Sequence, residues 1–393
     1  MRETKFKQTE AGLIPVDWKL STLGEISRDP SYGVSAEAIP FNGKDKYIRI
    51  TDIDDISGAF VPNPLASPAF YSDQHVVQEN DLLVARTGAS VGKSYLYNKK
   101  DGNLVYAGFL MKLNIYAAYA KYVFYSTRTS RYKSWVSSES ARTGQPGLNL
   151  EQLKCYLIPI PHKDEQLRIA KALTDIDLLI SSLTKLIEKK QNIKTATMQQ
   201  LLTGKKRLEG FTEPGVEKKI GEIVCVSKGQ SLQSKNFLNG NVPVVAGGQM
   251  YAGFHNIANH SNASVTISAS GAYAGYVWLH EYPIFASDCS VIEGNDDVDI
   301  HFIYYVLKLK QKEIYQAQTG GAQPHIHPKD IEPIRIVLPF KDCKPYLNEQ
   351  KAVANILNDM DKEITMLEQK RAKYEAIKKG MMQELLTGRI RLV

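Results

Sequence analysis

Cysteine is scarce in this 393-residue chain, and the few cysteines lie far apart. Cys155, Cys225, Cys289 and Cys343 form no CxxC pair, so neither a zinc ribbon nor a disulfide framework is indicated. A reducing, cytoplasmic setting suits such a chain. No apolar run approaches the ~20 residues that a membrane span needs. The opening residues Met1-Arg2-Glu3-Thr4-Lys5-Phe6-Lys7 lack the apolar stretch of a signal peptide. A strong excess of one charge is missing too: 49 basic and 42 acidic residues leave a net charge of +7. Even that modest excess is unevenly placed. Residues 163–208 hold 10 basic and 5 acidic side chains, and residues 341–393 hold 11 and 8. The remainder is close to neutral, with 28 against 29, so any nucleic-acid contact there must use local patches.

Signatures of chemistry are also lacking. No Asn-Pro-Pro-aromatic or Asp-Pro-Pro-aromatic run is present to hold a flipped base for amino-methylation, since Asn63-Pro64 is followed by Leu65. No nuclease-like cluster of carboxylates with lysine stands out. Gly88-Ala89-Ser90-Val91-Gly92-Lys93-Ser94 has three residues between its glycines where a phosphate-wrapping loop needs four. It reads as a turn between strands. His325-Ile326-His327 has no further clustered ligands, so no metal site is expected.

What the chain does have is an internal repeat. Glu165-Gln166 opens a segment that ends Leu201-Leu202-Thr203-Gly204, and Glu349-Gln350 opens another that ends Leu385-Leu386-Thr387-Gly388. The offset is a constant 184, and 19 of 44 aligned positions are identical. Both copies read as long helices. Ile169, Leu173, Ile176, Ile180, Leu183 and Ile187 step by four and three, as do Val353, Leu357, Met360, Ile364 and Leu367. That is a narrow seam of the coiled-coil type, and the economical partner for each copy is the other. Gly204 and Gly388 stand where helix ends favour a left-handed residue.

The stretches between the helices echo each other more faintly. Leu23-Gly24-Glu25-Ile26 recurs as Ile220-Gly221-Glu222-Ile223, and Gly88-Ala89 with Gly92 recurs as Gly271-Ala272 with Gly275. Gln145-Pro146-Gly147-Leu148 matches Gln323-Pro324-His325-Ile326. Strands are expected at Tyr47–Ile50, Asp81–Ala85, Ser264–Ser268, Tyr276–Leu279 and Ser290–Glu293, and helices at Ala117–Thr127 and Ile300–Ile314. The resulting reading is an α+β chain of two similar mixed domains, 1–162 and 208–344, alternating with long helical segments, 163–207 and 345–393.

This pattern resembles the DNA-specificity subunits of Type I restriction-modification enzymes. The resemblance rests on Ile14-Pro15-Val16-Asp17-Trp18 with Leu23-Gly24-Glu25-Ile26, on Tyr47-Ile48-Arg49-Ile50-Thr51-Asp52-Ile53, and on the Arg86-to-Lys93 run. It rests above all on the Glu-Gln helices that end Leu-Leu-Thr-Gly. One departure is that Trp18 has no equivalent near Val216–Lys219. The family implies two target recognition domains separated by the two helices, which pair as an antiparallel coiled coil. It implies double-stranded DNA as ligand, with each domain reading one half of a split, asymmetric site. It also implies two methyltransferase subunits docked on the helices and restriction/translocase subunits in the full complex. No chemistry is implied for this chain itself; S-adenosylmethionine, ATP and Mg are expected only in the partner subunits. Two rival readings are a specificity module of another methyltransferase-linked defence complex and a coiled-coil scaffold that binds only protein.

Base edges are read best by Arg or Lys at guanine and by Asn or Gln at adenine. In the first half the candidates beside glycine-rich loops are Arg86, Arg142 and Gln145, and in the glycine turn Arg86, Ser90 and Lys93 are expected to face DNA. In the second half the base-edge candidates are Gln249, Ser270, Tyr273, Gln323 and His325, the last two on a loop expected to touch DNA together with Lys329. Lys133 and Lys235 join Lys93 and Lys329 as candidates for phosphate.

Overall fold

In a computed structural model the chain is described over residues 5–141, 144–320 and 323–393, and it divides into two compact units. The first comprises Met1–Leu183 and Lys370–Val393; the second is Thr184–Gln369. Each unit thus holds one globular body and a portion of both long helices.

In the first unit a four-stranded antiparallel sheet runs Ser27–Tyr32, Leu110–Ile115, Asp81–Ala85, Ser94–Leu96. Its central strand, Asp81-Leu82-Leu83-Val84-Ala85, is buried throughout because both faces are covered. Side chains alternate across a strand with period two. Leu82 and Val84, with Met111 and Leu113, therefore face a core shared with Tyr122, Val123 and Tyr125 of helix Ala120–Ser126. Leu83 and Ala85, with Tyr95 and Leu110, face the opposite core, which holds Ile48, Leu104 and Tyr106. The last three belong to a small parallel strand pair, Lys46–Ile48 with Leu104–Tyr106.

The second unit repeats this plan. Its sheet runs Val226–Lys228, Cys289–Glu293, Ser264–Ser268, Val277–His280, again antiparallel. Val265, Ile267 and Ile292 face the helical side with Phe302, Ile303 and Val306, while Cys289 and Val291 face Val245, Ile284 and Ala286. A parallel pair, Val242–Val245 with Phe285–Ala286, covers that second face. Strands expected at 81–85 and 264–268 match the structure end to end, and the others shift by a residue or two. The expected helix 300–314 is two, Ile300–Leu309 and Gln311–Gln316. Despite the missing tryptophan, the second domain begins like the first: Val216–Lys219 pairs with Arg335–Leu338 as Lys19–Thr22 pairs with Leu157–Ile160.

The two long helices, Lys163–Leu201 and Leu347–Leu385, have 39 residues each and contain no proline. At 1.5 Å per residue each is about 60 Å long. Gly204 and Gly388 sit just beyond them with φ of 70° and 71°, the left-handed conformation that ends a helix. Seam residues Ile169, Leu173, Ile176, Leu183, Ile187, Val353, Leu357 and Ile364 are buried. Ile180, Met360 and Leu367 are half-buried. The seam also has a second use: Ile169 and Leu173 join the core of the first domain, and Val353 and Leu357 that of the second.

Within each unit the start of one helix lies beside the end of the other, so the helices pair antiparallel. In the first unit Glu165, 2% exposed, accepts from Arg391 (2.7 Å) and from the Trp18 indole N–H (3.1 Å). In the second unit Glu349, also 2% exposed, accepts from Arg207 (2.6 Å). One turn or more along, Asp177 accepts from the Tyr125 hydroxyl (2.8 Å) and pairs with Lys378 (2.6 Å). Its counterpart Asp361 accepts from the Tyr305 hydroxyl (2.9 Å) and pairs with Lys194 (2.5 Å). The repeated glutamines are structural as well. Gln166 accepts from the Tyr119 amide and Gln350 from the Asp299 amide, which ties each helix start to its domain.

Candidate nucleic-acid interface

The glycine motifs and the Gln-Pro motifs, more than 50 residues apart in the first half, meet in space. Thr87 bridges to Gly147: the Gly88 amide donates to the Pro146 carbonyl (2.9 Å) and the Leu148 amide to the Arg86 carbonyl (2.8 Å). In the second unit Ser270 bridges to His325: the Gly271 amide donates to Pro324 (3.1 Å) and the Ile326 amide to Ala269 (2.9 Å). The glycines match in conformation, with φ of 75° and 81° at Gly88 and Gly92 and 78° and 84° at Gly271 and Gly275. Such positive φ suits glycine because a Cβ would clash with its own backbone. At Gly92 a Cβ would also meet Val136, and at Gly275 it would meet Ile314. In both units the turn joins two antiparallel strands, Asp81–Ala85 to Ser94–Leu96 and Ser264–Ser268 to Val277–His280. A phosphate-binding loop of the nucleotide-hydrolysing type leads into a helix instead.

These turns bring several of the expected residues together. Gln145 is exposed beside Gly88, where a side chain would meet its amide at 3.0 Å. Arg86 is half-buried, with its guanidinium over the Tyr32 ring at 4.7 Å. Ser90 and Lys93 line a cleft of about 300 Å³ with Asp55, Arg128 and Lys133. Lys93 is largely engaged inside the unit: its ammonium pairs with Asp55 (2.6 Å) and donates to the Ile53 carbonyl (3.0 Å). Burial holds the Arg128 guanidinium below its usual pKa, and the side chain donates to the Ile56 carbonyl. Arg142 lies outside the described residues.

In the second unit Gln323 is exposed and Tyr273 is 46% exposed, both on the paired turns. The His325 ring lies parallel to that of His327 at 6.2 Å between centroids. Ser270 gives its hydroxyl to Asp288. Lys329 is exposed on the short helix Pro328–Ile331, and Gln249 is exposed on the loop after Val242–Val245. Among the described residues no group of three or more His, Cys, Asp or Glu side chains gathers to hold a metal.

Sheet pairing exposes residues that the motifs do not point to. The Arg86 amide donates to the Phe109 carbonyl (3.0 Å), and the Ala269 amide to that of Asp288 (3.1 Å). The Gly33 amide donates to Leu110 (3.1 Å), and that of Gly229 to Cys289 (2.8 Å). Tyr32 stands opposite Met111, and Lys228 opposite Ser290. One corner of the scaffold therefore carries Tyr32, Arg86 and Phe109 in the first unit and Lys228, Ala269 and Asp288 in the second. No local motif marks Phe109 or Asp288. Only the strand register shows that they are counterparts.

Comparison with known proteins agrees with this duplicated plan. The family model for the Type I restriction modification DNA specificity domain matches residues 15–195 and 213–376. The Type I restriction enzyme MjaVIII specificity subunit of Methanocaldococcus jannaschii is 24% identical over 436 residues, covering 100% of this chain and 97% of its own. The crystal structure of a Type I restriction-modification S subunit from M. genitalium superposes with a TM-score of 0.66 at 20% identity, covering 97% of this chain and 98% of the other. A chain from a structural study of complex assembly in the type I R-M system gives 0.56 at 16% identity, covering 96% and 99%. With two domain matches that together span most of its length, the chain belongs to the family of Type I restriction-modification DNA specificity subunits.

Proposed function

We propose that this chain reads a split, asymmetric double-stranded DNA site, one half per unit, and leaves all chemistry to its partners. The observation that carries this is the pairing of likeness and difference between the units. Sheet order, parallel cover strands and bridged turns are common to both, while the side chains on the shared corner differ. A duplicated scaffold with divergent surface residues suits two related but unequal half-sites. In this reading Gln145, Gln249, Tyr273, Gln323, His325 and Lys329 face DNA, and Ser90, Ser270 and Lys93 order the loops that present them. The partners are two methyltransferase subunits and the restriction/translocase subunits, in the cytoplasm, and those subunits bring S-adenosylmethionine, ATP and Mg. The first long helix offers Leu167, Leu178, Leu186 and Ile193 as exposed apolar residues for methyltransferase docking.

Mapping methylated bases in genomic DNA from cells that express this chain with its cognate methyltransferase tests the proposal. Two specified half-sites separated by an unread gap are expected. A single continuous site would overturn it, and so would DNA binding by the assembled complex that shows neither sequence preference nor loss with salt.

A further inference from the structure

Equivalent corners of the two sheets carry different charged side chains, Arg86 in the first unit and Asp288 with Lys228 in the second, and this inference rests on the reading that each unit recognises one half-site. Among the described residues neither Arg86 nor Asp288 has an ion-pair partner, yet each is held in place. The Arg86 guanidinium is stacked on Tyr32, whose hydroxyl is fixed by the Leu150 amide (3.1 Å), and the Arg86 Nε is buried without an acceptor. With the Nε closed off and the ring stack fixing the plane, only the terminal N–H groups of this guanidinium can meet an acceptor from outside. The half-buried Asp288 carboxylate is fixed by the Ser270 hydroxyl beside Gly247, where a Cβ would come within 3.2 Å of both Asp288 Oδ2 and Ser270 Oγ. A carboxylate facing DNA is repelled by phosphates unless it meets a hydrogen-bond donor, and the donors available in the major groove are base amino groups. The corner is thus suited to bases in the second unit, and the matching corner of the first is oriented by the same strand pairing.

We propose that this corner is a base-reading point in both units and that the two read opposite partners there. Arg86 takes the acceptor edge of a guanine in one half-site. Asp288 accepts from the exocyclic amino group of a cytosine in the other.

The test uses the full chain with its cognate methyltransferase subunits and maps methylated motifs for wild type, Arg86→Ala and Asp288→Asn. Arg86→Ala is expected to lower the preference for guanine at one position of one half-site by roughly ten- to hundredfold. Asp288→Asn is expected to relax a cytosine by a similar factor in the other half-site. In each variant the untouched half-site keeps its consensus, which shows that the chain has folded and assembled. A variant that methylates every site less without changing the motif marks a phosphate contact and overturns the assignment. So does an unchanged motif, or relaxation of both variants in the same half-site. A continuous wild-type motif overturns the two-unit reading itself. A split motif that both variants leave intact overturns only the corner assignment.

Discussion

The two units share a skeleton but not the way it is anchored. In the first, Glu165 gathers three donors: the Arg391 guanidinium, the Trp18 indole and the Leu392 amide. Arg391 is further tied to Asp17, and its guanidinium lies 5.6 Å from the Trp18 ring centroid. In the second, the Arg207 guanidinium is the side-chain donor to Glu349 among the described residues, and Phe211 packs on Tyr346 nearby. The same repeated Glu and Arg therefore sit in a dense polar knot in one unit and a sparse one in the other. What the repeat conserves is the ion pair; what surrounds it was free to change.

This difference can be broken directly. Removing one partner of a buried ion pair costs about 3–5 kcal/mol, because the other charge is left without compensation. Glu165→Ala is expected at the top of that range, since it also strands the Trp18 N–H, and Glu349→Ala at the bottom. Chemical denaturation followed by unit-resolved hydrogen exchange would measure both. Equal losses would show that the extra donors around Glu165 add nothing. Next come the matched seam leucines, each fully buried. Leu173→Ala and Leu357→Ala should each cost about 2–5 kcal/mol, with the two values close because the surroundings are repeated. A gap of more than about 2 kcal/mol between them would mean that the two cores differ in how far they can collapse. Smaller still are Tyr125→Phe and Tyr305→Phe, which remove a hydroxyl from Asp177 or Asp361. Hydrogen bonds to charged groups contribute about 1.5–3 kcal/mol, so losses near the lower figure are expected in both units.

Acid should separate the units without any mutation. His280, in the second unit, is buried, and that burial lowers its pKa to about 4 from an ordinary 6.5. Its unfolded form takes up a proton first, so the second unit loses stability as pH falls from about 6.5 to about 4. In the first unit the matching position, just past the strand Ser94–Leu96, is Tyr97, which donates to the Gly102 carbonyl. That unit instead buries Asp81, whose pKa is raised by burial, so its folded form holds a proton more tightly than the unfolded chain. Its contribution therefore favours the fold as pH falls. Hydrogen exchange at pH 7 and pH 5 should show protection lost first in the second unit. Loss in the first unit ahead of the second would contradict these assignments.

How much could be read in advance depended on the range of the interaction. The long helices were legible because their seam is a local rhythm, and the Leu-Leu-Thr-Gly ends carry their own stop signal. The strands at 81–85 and 264–268 were legible as short apolar runs bounded by glycine turns. The bridged turns were half legible: similar motifs in similar order suggested a link, and the hydrogen bonds supplied it. The corner residues were not legible. Phe109 and Asp288 follow connections of different length, 97–109 and 281–288, and share no chemistry. Only backbone pairing makes them equivalent. Lys93 shows the converse, since a lysine beside a glycine turn reads as a phosphate contact until Asp55, distant in sequence, is placed on it. The parallel cover strands were missed for a similar reason. Leu104–Tyr106 and Phe285–Ala286 are too short to announce themselves, and their partners lie more than 35 residues away.

The position of the second helix's end has a consequence for synthesis on the ribosome. Leu385 and Leu386 belong to the core of the first unit, and Arg391 closes over its buried glutamate. The first unit thus receives core residues from a segment translated after the whole of the second unit. The second unit, Thr184–Gln369, is continuous in sequence and needs nothing from that segment to complete its core. The first unit therefore cannot complete its core until residues 385–391 have been made, and damage near residue 385 falls on a domain that precedes it by more than 200 residues.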